Sequence, residues 1–386
     1  MSGLMPTYRE SKVRFVSGSG AWLTDAEGKR YLDFLSGIAV TSLGHAHPVV
    51  RDAICAQAKT LVHVSNLFAN GLNEEVATIL DSLLGDGEPL GGKVFFANSG
   101  AEANECALKL ARRATPEGRF GIIAANEAFH GRTLATLAAT GQPKKQAPFA
   151  PLPEGFHHVS YGDPEAIRAA VGLDTAAVML EPILGEAGVI TPPKGYLAQV
   201  RAICDELGLL LIVDEIQTGL ARTGRWFAFQ DEGIVPDVVT IAKAFGNGVP
   251  VGACWARDDV AATFQSGDHG STFGGQPLAM AAAKATLETM IEIDAPNRAS
   301  HAGDRLAGAL RSVKGVSEVR GAGLLIGLAL GKGIDARLVA EKALEFGLVV
   351  NDPTPSAIRL CPPLIVSDDE IDEGVDRLRR AIGAAT

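Results

Sequence analysis

Two charged residues stand where apolar runs stop. In LLLIVDEIQTG (Leu209 to Gly219) and VVTIAKAFGNG (Val238 to Gly248), segments long enough for buried strands end in Asp214 and Lys243. Open α/β sheets keep their chemistry in the crevice beyond the carboxyl ends of the strands. An amine at such a place can form a Schiff base with an aldehyde, and a carboxylate can pair with a protonated ring nitrogen. Pyridoxal phosphate needs both, and two strands would hold it from opposite sides.

A third stretch adds an anion site. In KVFFANSGAEANECALKLARR (Lys93 to Arg113) a short apolar strand ends at Ser99-Gly100 and a helix begins at once. Ser99 and Glu102 have capping-box spacing, and Ala103, Ala107 and Leu110 share one helical face. A helix opening after Ser-Gly offers unpaired N–H groups and a positive dipole end, which suit a phosphate; an ordinary capped helix reads the same way. EAFHGRT (Glu127 to Thr133) brings Phe129, His130 and Arg132 into a loop, and ILGEAGV puts Glu186 in another. His45 and His47 in GHAHP lack a third ligand at metal spacing and read as a turn into a helix near Pro48. No metal is expected. GAGLLIG and GNGVPVG resemble nucleotide fingerprints, but the third glycine falls one residue late, so no dinucleotide site is expected.

The elements that must position these residues follow from pattern and composition. The chain has 386 residues, 47% hydrophobic and 21% charged, which is ordinary for a soluble globular protein of two or three compact units. Its 44 glycines and 20 prolines are dispersed. A net charge of −10 disfavours nucleic acid or an anionic membrane as partner. With no apolar leader and no long apolar span, a cytoplasmic location is expected. Five scattered cysteines suggest isolated buried thiols rather than a disulfide framework.

AWLTD and RYLDF around Glu27-Gly28 are expected to form a hairpin. From about 48 to 290, strands alternate with helices, the signature of a mainly parallel sheet between crossover helices. KGYLAQVRAICDELG reads as a helix stopped by Gly208 and leading into the Asp214 strand. From about 291, short mixed units, including a helix near Asp335 to Phe346 and a last helix from Ser367, read as a smaller α+β domain. The expected division is an N-terminal segment 1–47 packing with the small domain, a large cofactor-binding domain 48–290 and a small domain 291–386.

Taken together, LDFLSGIAVTSLGHAHP, FFANSGAEANE, AFHGRTLATLAATGQP, LEPILGEAGV, VDEIQTGLARTG, PDVVTIAKAFGNG, HGSTFGGQP, RGAGLLIG and IRLCPPL occur in one order from about Tyr8 to the last helix. In this the chain resembles the class III, fold-type I pyridoxal-phosphate-dependent aminotransferases, and within them the acetylornithine aminotransferase group. The resemblance implies an α/β fold with a seven-stranded-type sheet. It implies that Lys243 carries the cofactor and moves the proton, and that Asp214 keeps the pyridine nitrogen protonated. Gln217 would bond the phenolic oxygen, Phe129 would stack on the ring, and Gly100 and Ala101 would bind the phosphate; Glu215 is counted with this cofactor set. Thr272 would reach the phosphate from the other subunit of a homodimer, with Ser271 near substrate.

By the same resemblance Arg359 takes the α-carboxylate of glutamate or 2-oxoglutarate, and Arg132 takes the carboxylate at the far end. Glu186 pairs with Arg359 when the donor brings no carboxylate there. A guanidinium suits both tasks because it grips a carboxylate bidentately. The implied reaction is transamination of N-acetylornithine with 2-oxoglutarate in arginine biosynthesis. Alternatives on the same residues are another class III ω-aminotransferase, acting on ornithine, 4-aminobutyrate, succinylornithine, succinyl-diaminopimelate or a carrier-linked aminoadipate semialdehyde, or an aminomutase. Phe245 and Asn247 depart from the glycine triplet common after the lysine, and the residue before Gly185-Glu186 is apolar; both departures bear on substrate preference.

Overall fold

A computed structural model describes residues 3–9 and 13–386. Residues 1, 2 and 10–12 of the expected N-terminal segment lie outside the described residues. The chain opens with strands β1 (Phe15–Ser19), β2 (Trp22–Asp25) and β3 (Arg30–Asp33), and β2 and β3 form the antiparallel hairpin turning at Glu27-Gly28. Seven strands follow: β4 (Lys93–Ala97), β5 (Gly121–Ala125), β6 (Phe156–Val159), β7 (Thr175–Leu180), β8 (Leu210–Asp214), β9 (Val238–Ile241) and β10 (Gly252–Ala256). They make one sheet in the order β4-β10-β9-β8-β7-β5-β6. Neighbours from β9 to β6 run parallel, and β10 runs antiparallel to both β4 and β9.

Every residue of β5, β7 and β9 is buried. That is why these strands read as uninterrupted apolar runs: helices cover both faces of a parallel sheet, so no position alternates with solvent. The helix Gly100–Ala114 buries Ala103, Ala107 and Leu110 as its spacing predicts, and Ser99 Oγ accepts from the Glu102 N–H, a cap worth about 1 kcal/mol. The helix Tyr196–Leu207 stops at Gly208, which takes the left-handed conformation open to a residue without Cβ.

Beyond the long helices Pro277–Glu292 and Ala295–Arg311 lie β11 (Val316–Ala322), β12 (Leu325–Leu330), β13 (Leu348–Val349), β14 (Asn351–Thr354) and β15 (Ala357–Leu360). β11-β12-β15-β14 form an antiparallel sheet. GAGLLIG is thus the β11–β12 hairpin, without a nucleotide-type helix. β13 adds to the first sheet beside β3, Leu348 opposite Leu32, so the N-terminal hairpin is hydrogen-bonded to the C-terminal part of the chain. The indole of Trp22 donates to Glu370 at 2.7 Å on the last helix, Asp368–Ala384, which Ser367 caps. Among the described residues no helix is long and apolar enough to cross a membrane, and no group of His, Cys, Asp and Glu is placed to hold a metal. His45 instead meets the buried Asp33 carboxylate, Nε2 to Oδ2 2.8 Å.

Candidate active site

Three adjacent strands deliver charge to one end of the sheet. Register pairs Leu180 of β7 with Val213 of β8, and Asp214 with Thr240 of β9. Glu181, Asp214 and Lys243 therefore emerge side by side beyond the carboxyl ends, where a cavity of about 450 Å³ opens. Asp214, Gln217, Lys243, Phe129, Arg132, Gly100 and Ala101 all line it.

Asp214 is 3% exposed and fully engaged. Its Oδ2 accepts from Asn104 Nδ2 and faces His130 Nδ1, each at 2.8 Å, and Oδ1 accepts from the Ile216 N–H at 3.1 Å. Burial works against a charge on His130, but the Asp214 carboxylate outweighs it and raises the imidazole above its ordinary range. Lys243 is held differently. Burial strips its ammonium of water and Arg359 repels it, so its pKa is lowered despite Glu186, Glu181 and Asp214 nearby. Its backbone sits at φ 48°, which costs a non-glycine residue of order 1 kcal/mol.

Glu181, buried at the end of β7, is pushed by that burial up to about 7, and its Oε1 accepts from the Phe129 N–H at 2.8 Å. The contact fixes the loop that carries Phe129. Gly100 and Ala101 are the first residues of a fifteen-residue helix, so their N–H groups have no intrahelical acceptor. Arg359, on β15, is 1% exposed. Nη1 donates to Glu186 Oε1 at 2.6 Å and to Gln217 Oε1 at 3.0 Å, and Nη2 donates to Asn351 Oδ1 at 2.7 Å. Gln217 keeps its Nε2 as a donor. Glu186 stays below the ordinary carboxylate range: burial opposes this, but Arg359 and Lys243 overcome it.

Not every expected residue is brought here. Glu215 is not among the residues that line the cavity. Successive residues at a strand end point to opposite sides, so Glu215 turns away from Asp214; its carboxylate accepts from the Thr218 hydroxyl and, at 2.9 Å, from the Phe229 N–H. Ser271 and Thr272 line a second hollow that shares Asn98 with the first. Phe245 is buried, stacks on Phe96 with ring centroids 6.4 Å apart and is not among the residues that line the cavity. Asn247 replaces a glycine at φ 45°, a left-handed position asparagine tolerates, and ties the loop to Leu43 N and Gly44 O.

Sequence reasoning passed over Asn104 and Glu181, and placed His130 in its loop without a role. Glu181 carried a signal, since AVMLE ends in a carboxylate just as LLIVD does. Nothing in the order of residues announced that Asn104, on a helix, would meet Asp214, 110 positions later.

The donor set fits pyridoxal phosphate. A buried amine of lowered pKa, a buried carboxylate, an aromatic ring and free helix-terminal N–H groups converge on one cavity of sufficient size. Fold and site define an enzyme of the pyridoxal-phosphate-dependent, fold-type I aminotransferase class. The family model "Aminotransferase class-III" matches residues 6–382. Acetylornithine aminotransferase of Methanothermobacter thermautotrophicus is 47% identical over 383 residues, covering 98% of this chain and 96% of the relative. That of Corynebacterium efficiens is 48% identical, covering 97% and 94%. Among solved structures, ornithine aminotransferase of Toxoplasma gondii superposes with a TM-score of 0.93 at 33% identity, over 99% of this chain and 93% of the other. N-acetylornithine aminotransferase of Stenotrophomonas maltophilia gives 0.84 at 34%, over 97% and 96%. The chain belongs to the class-III aminotransferases.

Proposed function

We propose that the enzyme transfers the δ-amino group of N2-acetyl-L-ornithine to 2-oxoglutarate, giving N-acetyl-L-glutamate 5-semialdehyde and L-glutamate, a step of arginine biosynthesis in the cytoplasm. Full-length relatives with that name support the substrate. The observation that carries the reading is the Arg359–Glu186 pair at 2.6 Å beside the Lys243 cavity. A buried arginine neutralised by a carboxylate that is 24% exposed can be paired when one substrate binds and open to a substrate carboxylate when the other does.

When bound, pyridoxal phosphate supplies an aldehyde for the substrate amine and a ring that draws electrons from the reacting carbon. The chain's own residues do the rest. Gly100 and Ala101 N–H groups would hold the phosphate, Phe129 would pack against the ring, and Gln217, whose Oε1 is taken by Arg359, would offer its Nε2 to the ring oxygen. Asp214, oriented by Asn104 and His130, would hold a proton on the ring nitrogen. Lys243 Nζ, neutral more readily than a solvated lysine, would take the proton leaving the substrate carbon and deliver it to the cofactor carbon instead of back to the substrate. Arg132 binds the carboxylate remote from the reaction. Arg359 binds the α-carboxylate of glutamate or 2-oxoglutarate once Glu186 moves aside.

The reading includes a homodimer with shared sites, Thr272 of each chain completing the partner's phosphate site and Ser271 standing near its substrate. Exposure of Thr272 and of the neighbouring apolar side chains Phe273, Leu67 and Phe68 supports this. It also includes the division into 1–47, 48–290 and 291–386. The test is kcat/KM with 2-oxoglutarate for N-acetylornithine, ornithine, 4-aminobutyrate and succinyl-diaminopimelate. A preference for N-acetylornithine of about a hundredfold, roughly 2.7 kcal/mol, is expected; preference for another amine would overturn the substrate.

A further inference from the structure

Phe129 has two cations around one ring. Arg132 Cζ lies 5.6 Å from its centroid and Lys145 Nζ 4.9 Å. Arg132 lines the Lys243 cavity, and Lys145 reaches the same ring from the turn Pro143–Gln146, close enough to feel Glu186, Arg132 and Arg359. Gln142, just before that turn, bonds the Phe129 loop, its Nε2 donating to the carbonyls of Glu127 and Ala128, and Gln146 Nε2 ties the turn to the helix that follows the loop, at the carbonyls of Leu137, Ala138 and Thr140. Lys145 is half-buried, whereas its neighbour Lys144 is exposed.

Among the described residues neither Lys145 nor Arg132 has a carboxylate within ion-pair distance. Glu186 is spent on Arg359, and Glu181 on the Phe129 N–H. Burial lowers the Lys145 pKa, the pull of Glu186 notwithstanding, and Arg132 and Arg359 lower it further. Lys145 is a half-buried cation without a carboxylate of its own, sharing the Phe129 ring with the exposed Arg132 guanidinium; the ring offsets only part of the cost of burying that charge. Such an arrangement is completed by an anion that arrives from outside.

We infer that Lys145 is a specificity-determining residue that, together with Arg132, reads the substrate carboxylate remote from the reacting amine. The inference rests on the aminotransferase reading above. A guanidinium fixes the direction of the carboxylate, and the ammonium adds a point charge that tolerates different chain lengths. Both partners of the reaction carry such a carboxylate, so Lys145 acts in both half-reactions. A terminal amine without one gains nothing from it.

The test compares holoenzyme and its Lys145→Met, Lys145→Arg and Lys144→Met variants in single-turnover reactions with N-acetylornithine and with 1,4-diaminobutane, which offers a terminal amine but no carboxylate. The Kd of glutarate is measured by calorimetry alongside. Lys145→Met is expected to lower kcat/KM for N-acetylornithine and weaken glutarate by about tenfold each, the worth of one charged hydrogen bond, and to leave the diamine unchanged or improved. Lys145→Arg should stay within about threefold, and Lys144→Met should match the parent. An equal loss on the diamine would assign Lys145 to structure alone. A loss confined to glutarate would mean that it acts through Glu186. Either result, or no loss at all, overturns the inference. Parent enzyme that does not prefer N-acetylornithine to the diamine would instead count against the functional reading itself.

Discussion

Arg359 of β15 and Glu186 of the loop after β7 meet at 2.6 Å although 173 positions separate them. The arginine is anchored on its other nitrogen by Asn351, its direct cross-strand neighbour on β14. Among the described residues the glutamate has no comparable anchor, which makes it the partner expected to move. Glu186→Gln is therefore expected to lower the KM for 2-oxoglutarate by about tenfold, near 1.4 kcal/mol, because Arg359 no longer has to give up an ionic partner. Steady-state kinetics with each substrate varied in turn checks this; a KM that rises would show that Glu186 does not compete for Arg359.

Asp214 accepts from Asn104 and the Ile216 N–H and pairs with His130 while buried. Asp214→Asn keeps the shape and removes the charge. A fall in kcat of at least about a hundredfold, or 2.7 kcal/mol, is expected, with KM changing little. Asn104→Ala should cost less, since it orients the carboxylate without replacing it. Comparable losses from the two would show that orientation, not charge, is what Asp214 contributes.

Glu215 makes a prediction about pH. Burial raises its carboxyl from an ordinary 4.5 to about 7, the bonds from Thr218 and Phe229 N–H only partly opposing this. The native chain keeps a proton there that the unfolded chain releases above its lower pKa. The associated stability is full below about pH 4.5 and is lost as pH rises through about 7. Glu215→Gln stays neutral throughout. Relative to the variant, the parent should lose ~3 kcal/mol between pH 4.5 and 8, seen as a growing gap in Tm. A gap independent of pH would mean that the carboxyl is not displaced.

The shared-site reading predicts complementation. Lys243→Ala and Thr272→Ala proteins should each be inactive or nearly so. Unfolded and refolded together, they should regain roughly a quarter of parental activity, since half the dimers are mixed and each mixed dimer has one intact site. Recovery no greater than the sum of the two parents would place Thr272 in its own chain's site.

Much of this was legible in the residue order because buried parallel strands leave a local mark. Apolar runs that end in Asp214 and Lys243 announce strand ends, and the capping pair Ser99 and Glu102 announces the helix N-terminus. Those features arise between residues a few positions apart, where periodicity and caps act. The family motifs extended the reading to Arg132, Glu186 and Arg359. Glu215 sits in the same motif as Asp214, and the alternation of the extended backbone turns its carboxylate to the other side, toward Thr218 and Phe229.

The sequence by itself determined where strands stop and which charges they carry outward, for a strand buried on both faces tolerates charge only at its end. Tertiary structure decided which of those ends stand together. The order β7-β8-β9 puts Glu181, Asp214 and Lys243 side by side, and the packing of the Gly100–Ala114 helix brings Asn104 to Asp214. The β15 sheet carries Arg359 back to Glu186, and the Pro143–Gln146 turn sets Lys145 against Phe129. Such meetings depend on how elements dock across a hundred residues or more, and no spacing along the chain encodes them.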